Sequence, residues 1–269
     1  MSESSPLTRA TAFQNSVQII ALPDAPAVAR RAAEMIVHDA SEAIAAREQF
    51  LFVLAGGTAP RPTYEQLAKP ECSSRVDWKR THVFWGDERY VPPTDPQSNF
   101  RMCNETLVRH VPLSESNVHR VPTEVSPADA AASAYEQEVR RVTGTAEREW
   151  PRFDVVLLGL GTNGHTASLF PHSPVLRERS RLVAADFVAE VNAWRITMTV
   201  PVLNQAHNTI LIATGKEKAE VVRDVITGAR EPERLPAQFI HPVAGTLTWL
   251  LDKASAALLP AGVVKTAAE

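Results

Sequence analysis

The sequence predicts an α/β protein: a single three-layer α/β/α domain on one mostly parallel, Rossmann-like sheet. Three observations carry this. Short apolar runs recur along the chain, and a run apolar at every position fits a strand buried on both faces. Segments of helical period lie between them, and strands alternating with helices over the whole length close into a parallel sheet covered by helices. The scale agrees, because 269 residues with 44% hydrophobic and 22% charged side chains supply enough apolar surface for one large ordered domain. That domain is expected over residues 15–262, after a polar, unpatterned stretch at 1–14 that reads as a loose tail.

Val17–Leu22 reads as the first strand. From Pro26 a helical period places Val28, Ala32, Met35 and Ile36 on one face and Arg30, Arg31 and Glu34 off it. Residues 50–55 form a continuous apolar run ending in Gly56-Gly57, with a short helix over 62–67. The alternation repeats with a strand at 82–85 and a helix at 99–109 that aligns Phe100, Cys103 and Leu107. A short strand at 117–121 and a helix at 127–142 follow, with Ser126 as the expected N-cap. Residues 153–158 are a second buried-type strand followed by glycines. Strands at 195–200 and 209–214, a helix at 216–226 closed by Gly228, a strand at 246–251 and a helix at 253–259 complete the order. No internal repeat or low-complexity linker interrupts it.

Charge and cysteine content remove several classes of function. The net charge is −3, from 28 basic against 31 acidic residues, so the basic excess of a duplex nucleic-acid binder is missing. Cys72 and Cys103 are too few for a disulfide framework or a four-cysteine zinc site, and the eight histidines never fall in H-x-x-x-H spacing. The first residues lack the basic region and apolar core of a secretory signal, and the apolar runs are too short to cross a bilayer. A cytoplasmic protein with neither nucleic-acid nor membrane partners is expected.

Ligands of open α/β sheets bind beyond the carboxyl ends of the strands, so the residues after each strand are the informative ones. Ala55-Gly56-Gly57-Thr58-Ala59-Pro60 can expose backbone N–H groups to an anion, phosphate above all, or form a plain strand-to-helix turn; it is not a Walker A loop. Gly86-Asp87-Glu88-Arg89 offers a carboxylate to orient a hydroxyl, water or histidine and an arginine to hold an anion, or else a solvated turn. The stretch from Gly159 to Pro171 matches G-x-G-x-x-G, with Asp186 22 positions beyond Gly164. A dinucleotide loop must open a full helix, however, and Pro171 arrives seven residues after Gly164. His165 then stands beside backbone donors as a candidate general base, or simply caps a short helix. The strand from Trp194 to Val200 turns Arg195, Thr197 and Thr199 to one face, for a bound anion or for water. Lys216 or Lys218, after Gly215, could reach a phosphate or form a solvated pair. No G-x-S-x-G elbow exists, and Ser168 falls inside the short helix expected after Gly164, which disfavours a serine hydrolase.

These pieces occur in one order: Gly56-Gly57-Thr58 with Tyr64-Glu65, Asp87-Glu88-Arg89-Tyr90-Val91-Pro92 with Ser98-Asn99, and Gly159 to Pro171. Arg195-Ile196-Thr197, Gly215 with Lys218-Ala219, and Leu235-Pro236-Ala237 with Trp249 and Asp252 follow. Together they resemble the 6-phosphogluconolactonase family over roughly residues 17–260. The resemblance implies hydrolysis of 6-phosphoglucono-δ-lactone to 6-phosphogluconate, a fold like that of sugar-phosphate deaminases and isomerases, and no metal or organic cofactor. A phosphorylated sugar lactone is then the partner, and a monomer or small homo-oligomer the expected assembly. By motif match His165 would activate water and Asp87 would help orient the site. Gly56, Gly57 and Thr58, with Arg195 and Lys218, would hold the phosphate, and Arg89 would add an anion contact. Asn163 stands where the family usually has aspartate, and an amide cannot stabilise an imidazolium by charge, which implies a slower rate or a shifted pH optimum.

Three rivals remain at this point. A deaminase or isomerase of the same fold would typically continue Phe-Asn-Glu-Pro where this chain has Ser168-Leu169-Phe170-Pro171, without the glutamate. The others are a non-enzymatic sugar-phosphate sensor and an NAD-binding oxidoreductase.

Overall fold

Apolar continuity decides where the strands go. The computed structural model describes residues 17–266, so the tail expected at 1–14 lies outside the described residues. The elements run β1 (Val17–Leu22), α1 (Ala25–Arg47), β2 (Phe50–Leu54), α2 (Arg61–Leu67), α3 (Pro70–Ser73), β3 (Thr81–Trp85) and β4 (Asp87–Arg89). They continue α4 (Asn99–Thr106), β5 (Val118–His119), α5 (Ala128–Thr143), β6 (Val155–Gly159), β7 (Val183–Val188), β8 (Ala193–Met198) and α6 (Val200–Leu203). β9 (Asn208–Ala213), α7 (Ala219–Thr227), β10 (Thr246–Asp252) and β11 (Lys265–Thr266) close the chain.

All five residues of β2 are buried, as are Val155, Val156, Leu157 and Leu158 of β6. Only a strand covered on both faces can carry such a sequence. Eight strands form one sheet in the order β11-β1-β10-β9-β6-β2-β3-β5, with every pairing parallel. Helices flank it. α1 starts where the Asp24 carboxylate accepts from the Ala27 N–H at 2.8 Å, with Pro26 in its first turn. Its buried stripe runs from Val28 through Ala32 and Ile36 to Ala40 and Ala43.

From β2 the chain steps outward to β3 and β5, then returns to β6 on the other side of β2 and continues through β9 to β10. The direction reverses between β2 and β6, and a cleft opens beyond the carboxyl ends of strands at such a point.

A second sheet was not expected. It has three antiparallel strands in the order β4-β8-β7. Gly86 is the junction: its N–H donates to Leu54 O of the parallel sheet (2.9 Å), and its carbonyl accepts from Met198 N–H of the new one (2.8 Å). The strand expected at 195–200 is therefore β8, centre of the small sheet, and Asp87–Arg89 is a strand rather than a loop.

Three further expectations are corrected. Ser126 does not cap α5; Pro127 occupies the N-cap position and no side chain caps the helix. The helix expected to 109 ends at Thr106 and passes into a single 3-10 turn. Residues 253–259 are turns, not a helix. There the Asp252 carboxylate accepts from Ser255 N–H (2.8 Å) and Ser255 Oγ donates to Ala213 O (2.8 Å), local bonds that compete with a helical ladder.

At the amino end of the sheet, buried Asp154 accepts from Leu51 N–H (2.7 Å) and from Arg47 Nη2 (2.6 Å), tying β2 to β6 and α1. Asp154→Ala leaves a buried N–H unpartnered and should cost about 2 kcal/mol. Urea unfolding checks this: a lower midpoint at unchanged m-value is expected.

Candidate active site

Four segments leave the carboxyl ends of the adjacent strands β9, β6, β2 and β3. They are the loops that carry Gly215 to Lys218, Gly161 to His165 and Gly56 to Thr58, and the short strand β4, Asp87–Arg89. The sequence-derived candidates thus lie at one end of the sheet, on or beside neighbouring strands.

Asp87 is buried and holds two of these loops together. Its Oδ2 accepts from Ser168 Oγ at 2.6 Å, and its Oδ1 and backbone O accept from Asn99 Nδ2 at 3.3 and 2.9 Å. Ser168 lies three residues beyond His165, so this bond fixes the histidine loop to β4. No helix follows Gly164. The segment is a turn with Ala167 at φ 48, a conformation costly for a residue with a Cβ. Ser168 is buried, and its hydroxyl is bonded to a carboxylate rather than to an imidazole, so it is no nucleophile. The missing helix also removes the dinucleotide reading, and Asp186 sits on β7 bonded to Ser173 Oγ.

Glu88 points the other way from Asp87. Its carboxylate accepts from the backbone N–H groups of Arg89 (2.8 Å), Asn99 (2.7 Å) and Phe100 (2.8 Å), covering the start of α4. Burial pushes its pKa up against those hydrogen bonds, and its role is structural. Asn99 in turn lies against Gly56, where a Cβ would come within 1.9 Å of Asn99 Oδ1. The next residue, Gly57, has φ 91, which turns the exposed loop toward the cleft.

His165 is half-buried and stacks on Phe170 at 4.2 Å between ring centroids. A Cβ on Gly161 would lie 2.1 Å from its Cε1 and Nδ1, so the ring packs directly on glycine backbone. His165 Nδ1 is 2.6 Å from Asn163 Oδ1. An amide oxygen only accepts, so Nδ1 carries the hydrogen and Nε2 keeps a lone pair. Asp87 makes no hydrogen bond to His165; it orients the base only through the loop.

Burial and then the charges of Lys218, Arg195 and Arg89 push His165 from 6.5 down to about 4. The imidazole is therefore neutral at pH 7. Arg89 and Arg195 stand directly opposite each other in the β4–β8 ladder, a like-charge pair that opposes folding. Burial, then the neighbouring Arg89, lowers Arg195; burial lowers Lys218. None of the three has a carboxylate within 4.0 Å among the described residues. Three cations without a carboxylate partner thus act on one neutral imidazole. Lys216 is exposed and is not among the charges acting on His165, so Lys218 is the lysine of the pair that faces the site.

Residues 23–249 match the family described as glucosamine-6-phosphate isomerases/6-phosphogluconolactonase. The chain belongs to this family. It is 38% identical to a 6-phosphogluconolactonase of Synechocystis sp. over 79% of this chain and 86% of that protein. A 6-phosphogluconolactonase of Nostoc sp. is 37% identical over 88% of this chain and 96% of its own. The solved structure of the Thermotoga maritima 6-phosphogluconolactonase superposes with a TM-score of 0.75 at 31% identity, over 88% of this chain and 100% of that one.

The roles of two residues of this member of the glucosamine-6-phosphate isomerase/6-phosphogluconolactonase family escaped the sequence reading. Ser168 could be found only once Asp87 was known to lie beside it. Glu190 carries no motif at all; it reaches Asn163 Nδ2 with both oxygens, at 3.1 and 3.0 Å, only because β7 and β8 fold into a hairpin.

The depressed His165 pKa has a definite sign. Between about 4 and 6.5 the unfolded chain binds a proton that the folded site refuses, so acidification through that window weakens the fold. NMR titration should place His165 near 4, and inorganic phosphate, by offsetting the three cations, should raise the value. Titration at 6.5 with or without phosphate would remove the electrostatic account.

Proposed function

We propose that this chain hydrolyses 6-phospho-D-glucono-1,5-lactone to 6-phosphogluconate, as a 6-phosphogluconolactonase of the oxidative pentose phosphate pathway. The reading places it in the cytoplasm, as a monomer or small homo-oligomer. One observation carries it: a neutral imidazole with a free Nε2 lone pair under the charge of three cations that have no carboxylate partner. The cations suit a phosphate dianion, and the imidazole suits removal of a proton from water.

In this mechanism Arg195 and Lys218, with Arg89 beside them and the Gly56-Gly57-Thr58 loop opposite, hold the phosphate. Water attacks C1 of the lactone while His165 Nε2 takes one of its protons, and the carbonyl oxygen carries the charge of the tetrahedral intermediate. On collapse the C1–O5 bond breaks and O5 takes the proton from the imidazolium, which leaves His165 neutral and the product an open-chain acid. The cations that lower the His165 pKa are the ones the phosphate neutralises. Substrate binding therefore raises the basicity of Nε2 when it is needed.

A lactonase assay on freshly generated substrate, corrected for spontaneous opening, tests this. His165→Ala should lose at least ~100-fold in kcat. Arg195→Ala should instead raise KM about 10-fold, since it removes binding rather than chemistry. Full activity in the His165 variant would refute its role.

A further inference from the structure

The oxygen and nitrogen of an asparagine amide are nearly isosteric, and a half-turn of the side-chain end exchanges them. At Asn163 the exchange would leave packing intact and abolish the base. With Oδ1 toward the ring, His165 Nδ1 holds the hydrogen and Nε2 the lone pair. With Nδ2 toward the ring, Nδ1 must accept, the hydrogen moves to Nε2, and no lone pair faces water. An asparagine at this position needs something that distinguishes its two ends.

Two contacts do so. On the ring side the His165 backbone N–H donates to Asn163 Oδ1 at 3.2 Å. On the far side stands the carboxylate of Glu190, 3.1 and 3.0 Å from Nδ2. A carboxylate accepts and never donates, so it admits only the NH2 end. Glu190 lies in the hairpin tip between β7 and β8, in a one-turn 3-10 helix (Ala189–Val191) closed by Asn192 at φ 46. It borders an open cleft of ≈ 430 Å³, lined also by Glu220, Asp224 and Arg234. Arg234 is engaged by Glu231. Among the described residues Glu190 has no cation partner, and Asn163 is the only group hydrogen-bonded to its carboxylate. The charges that act on His165 are those of Lys218, Arg195 and Arg89, all positive.

We propose that Glu190 is a positioning residue for His165. Through Asn163 it holds the imidazole in the Nδ1–H tautomer, and its charge beyond the amide favours the imidazolium formed when water is deprotonated. The proposal rests on the lactone-hydrolase reading above. Glu190 touches no reacting atom. It supplies, one residue further out, the negative charge that Asn163 lacks.

Glu190→Ala and Glu190→Gln, each made in the full chain and again with Asn163→Asp, test it. The readouts are kcat, KM and the side-chain ¹⁵N resonances of His165 at neutral pH. Glu190→Ala should lower kcat about 10-fold at nearly constant KM and shift the resonances toward the Nε2–H form. Glu190→Gln can donate as well as accept, so it discriminates the two amide ends less sharply; it should shift the resonances only part of the way and lose about 3-fold, less than Glu190→Ala. With Asn163→Asp present, either oxygen can accept from Nδ1–H, and Glu190→Ala should then cost less than about 2-fold. Unchanged kcat and tautomer in Glu190→Ala would overturn the proposal. An equal loss in both backgrounds would also overturn it, making Glu190 a structural residue of the hairpin. If the parent chain hydrolyses no lactone, the functional reading fails, while the ¹⁵N pattern still decides what Glu190 does to His165.

Discussion

Asp87 sits where the chain leaves the parallel sheet and enters the antiparallel one, and its carboxylate is bonded from two sides by Ser168 Oγ and Asn99 Nδ2. Ser168 belongs to the histidine loop. Asn99 opens α4 and lies against Gly56. One buried acceptor therefore sets the spacing between the base, the glycine loop and the strand that bears Arg89. A buried carboxylate is tolerated because each oxygen has a donor, and removing either donor would leave charge without compensation. The left-handed backbone at Ala167 stands immediately before this contact, next to the serine that donates it.

The electrostatics run against stability and toward binding. The chain carries a net charge of −3, yet the cleft gathers Arg89, Arg195 and Lys218 around one histidine. Two of them face each other across a ladder where opposite charges would be favourable. Natural sites often carry such a cost where activity requires it. In the proposed reaction a doubly charged phosphate would relieve the repulsion and raise the proton affinity of His165, so recognition and chemistry would draw on the same three charges.

Much of this was legible in the sequence, for physical reasons. Gly56-Gly57 and Gly159 to Gly164 stand directly after strands apolar at every position, and such strands can only lie in the centre of a covered sheet. His165 follows from that placement, Asp87 and Lys218 from standing after the strands at 82–85 and 209–214, and Arg195 from the polar stripe of its own strand. The small sheet was not legible because β4 is three residues long and reads Asp-Glu-Arg, the composition of a turn. β7, reading Val-Ala-Ala-Asp-Phe-Val, has no clean alternation. The false helix at 253–259 shows the limit of periodicity, because Asp252 and Ser255 spend their side chains on local backbone groups. Glu190 was out of reach for another reason: its relation to Asn163 exists only in the paired hairpin.

That hairpin has a further consequence. β7, its tip and β8 form one uninterrupted segment that carries Glu190 at the turn and Arg195 on the returning strand. It is held to the rest of the molecule by the buried side chains of Val183, Ile196 and Met198, by Glu136 of α5, which accepts from the N–H groups of Leu182 (2.8 Å) and Val183 (3.3 Å), and by the ladder to β4. An exchange of this segment between homologues would move anion recognition and the tuning of the base together. The loop that holds His165 would stay as it is. Substrate preference could thus diversify by exchange of one cassette, on condition that the incoming piece still meets Glu136 and keeps the register that sets Thr197 opposite Asp87 and Arg195 opposite Arg89.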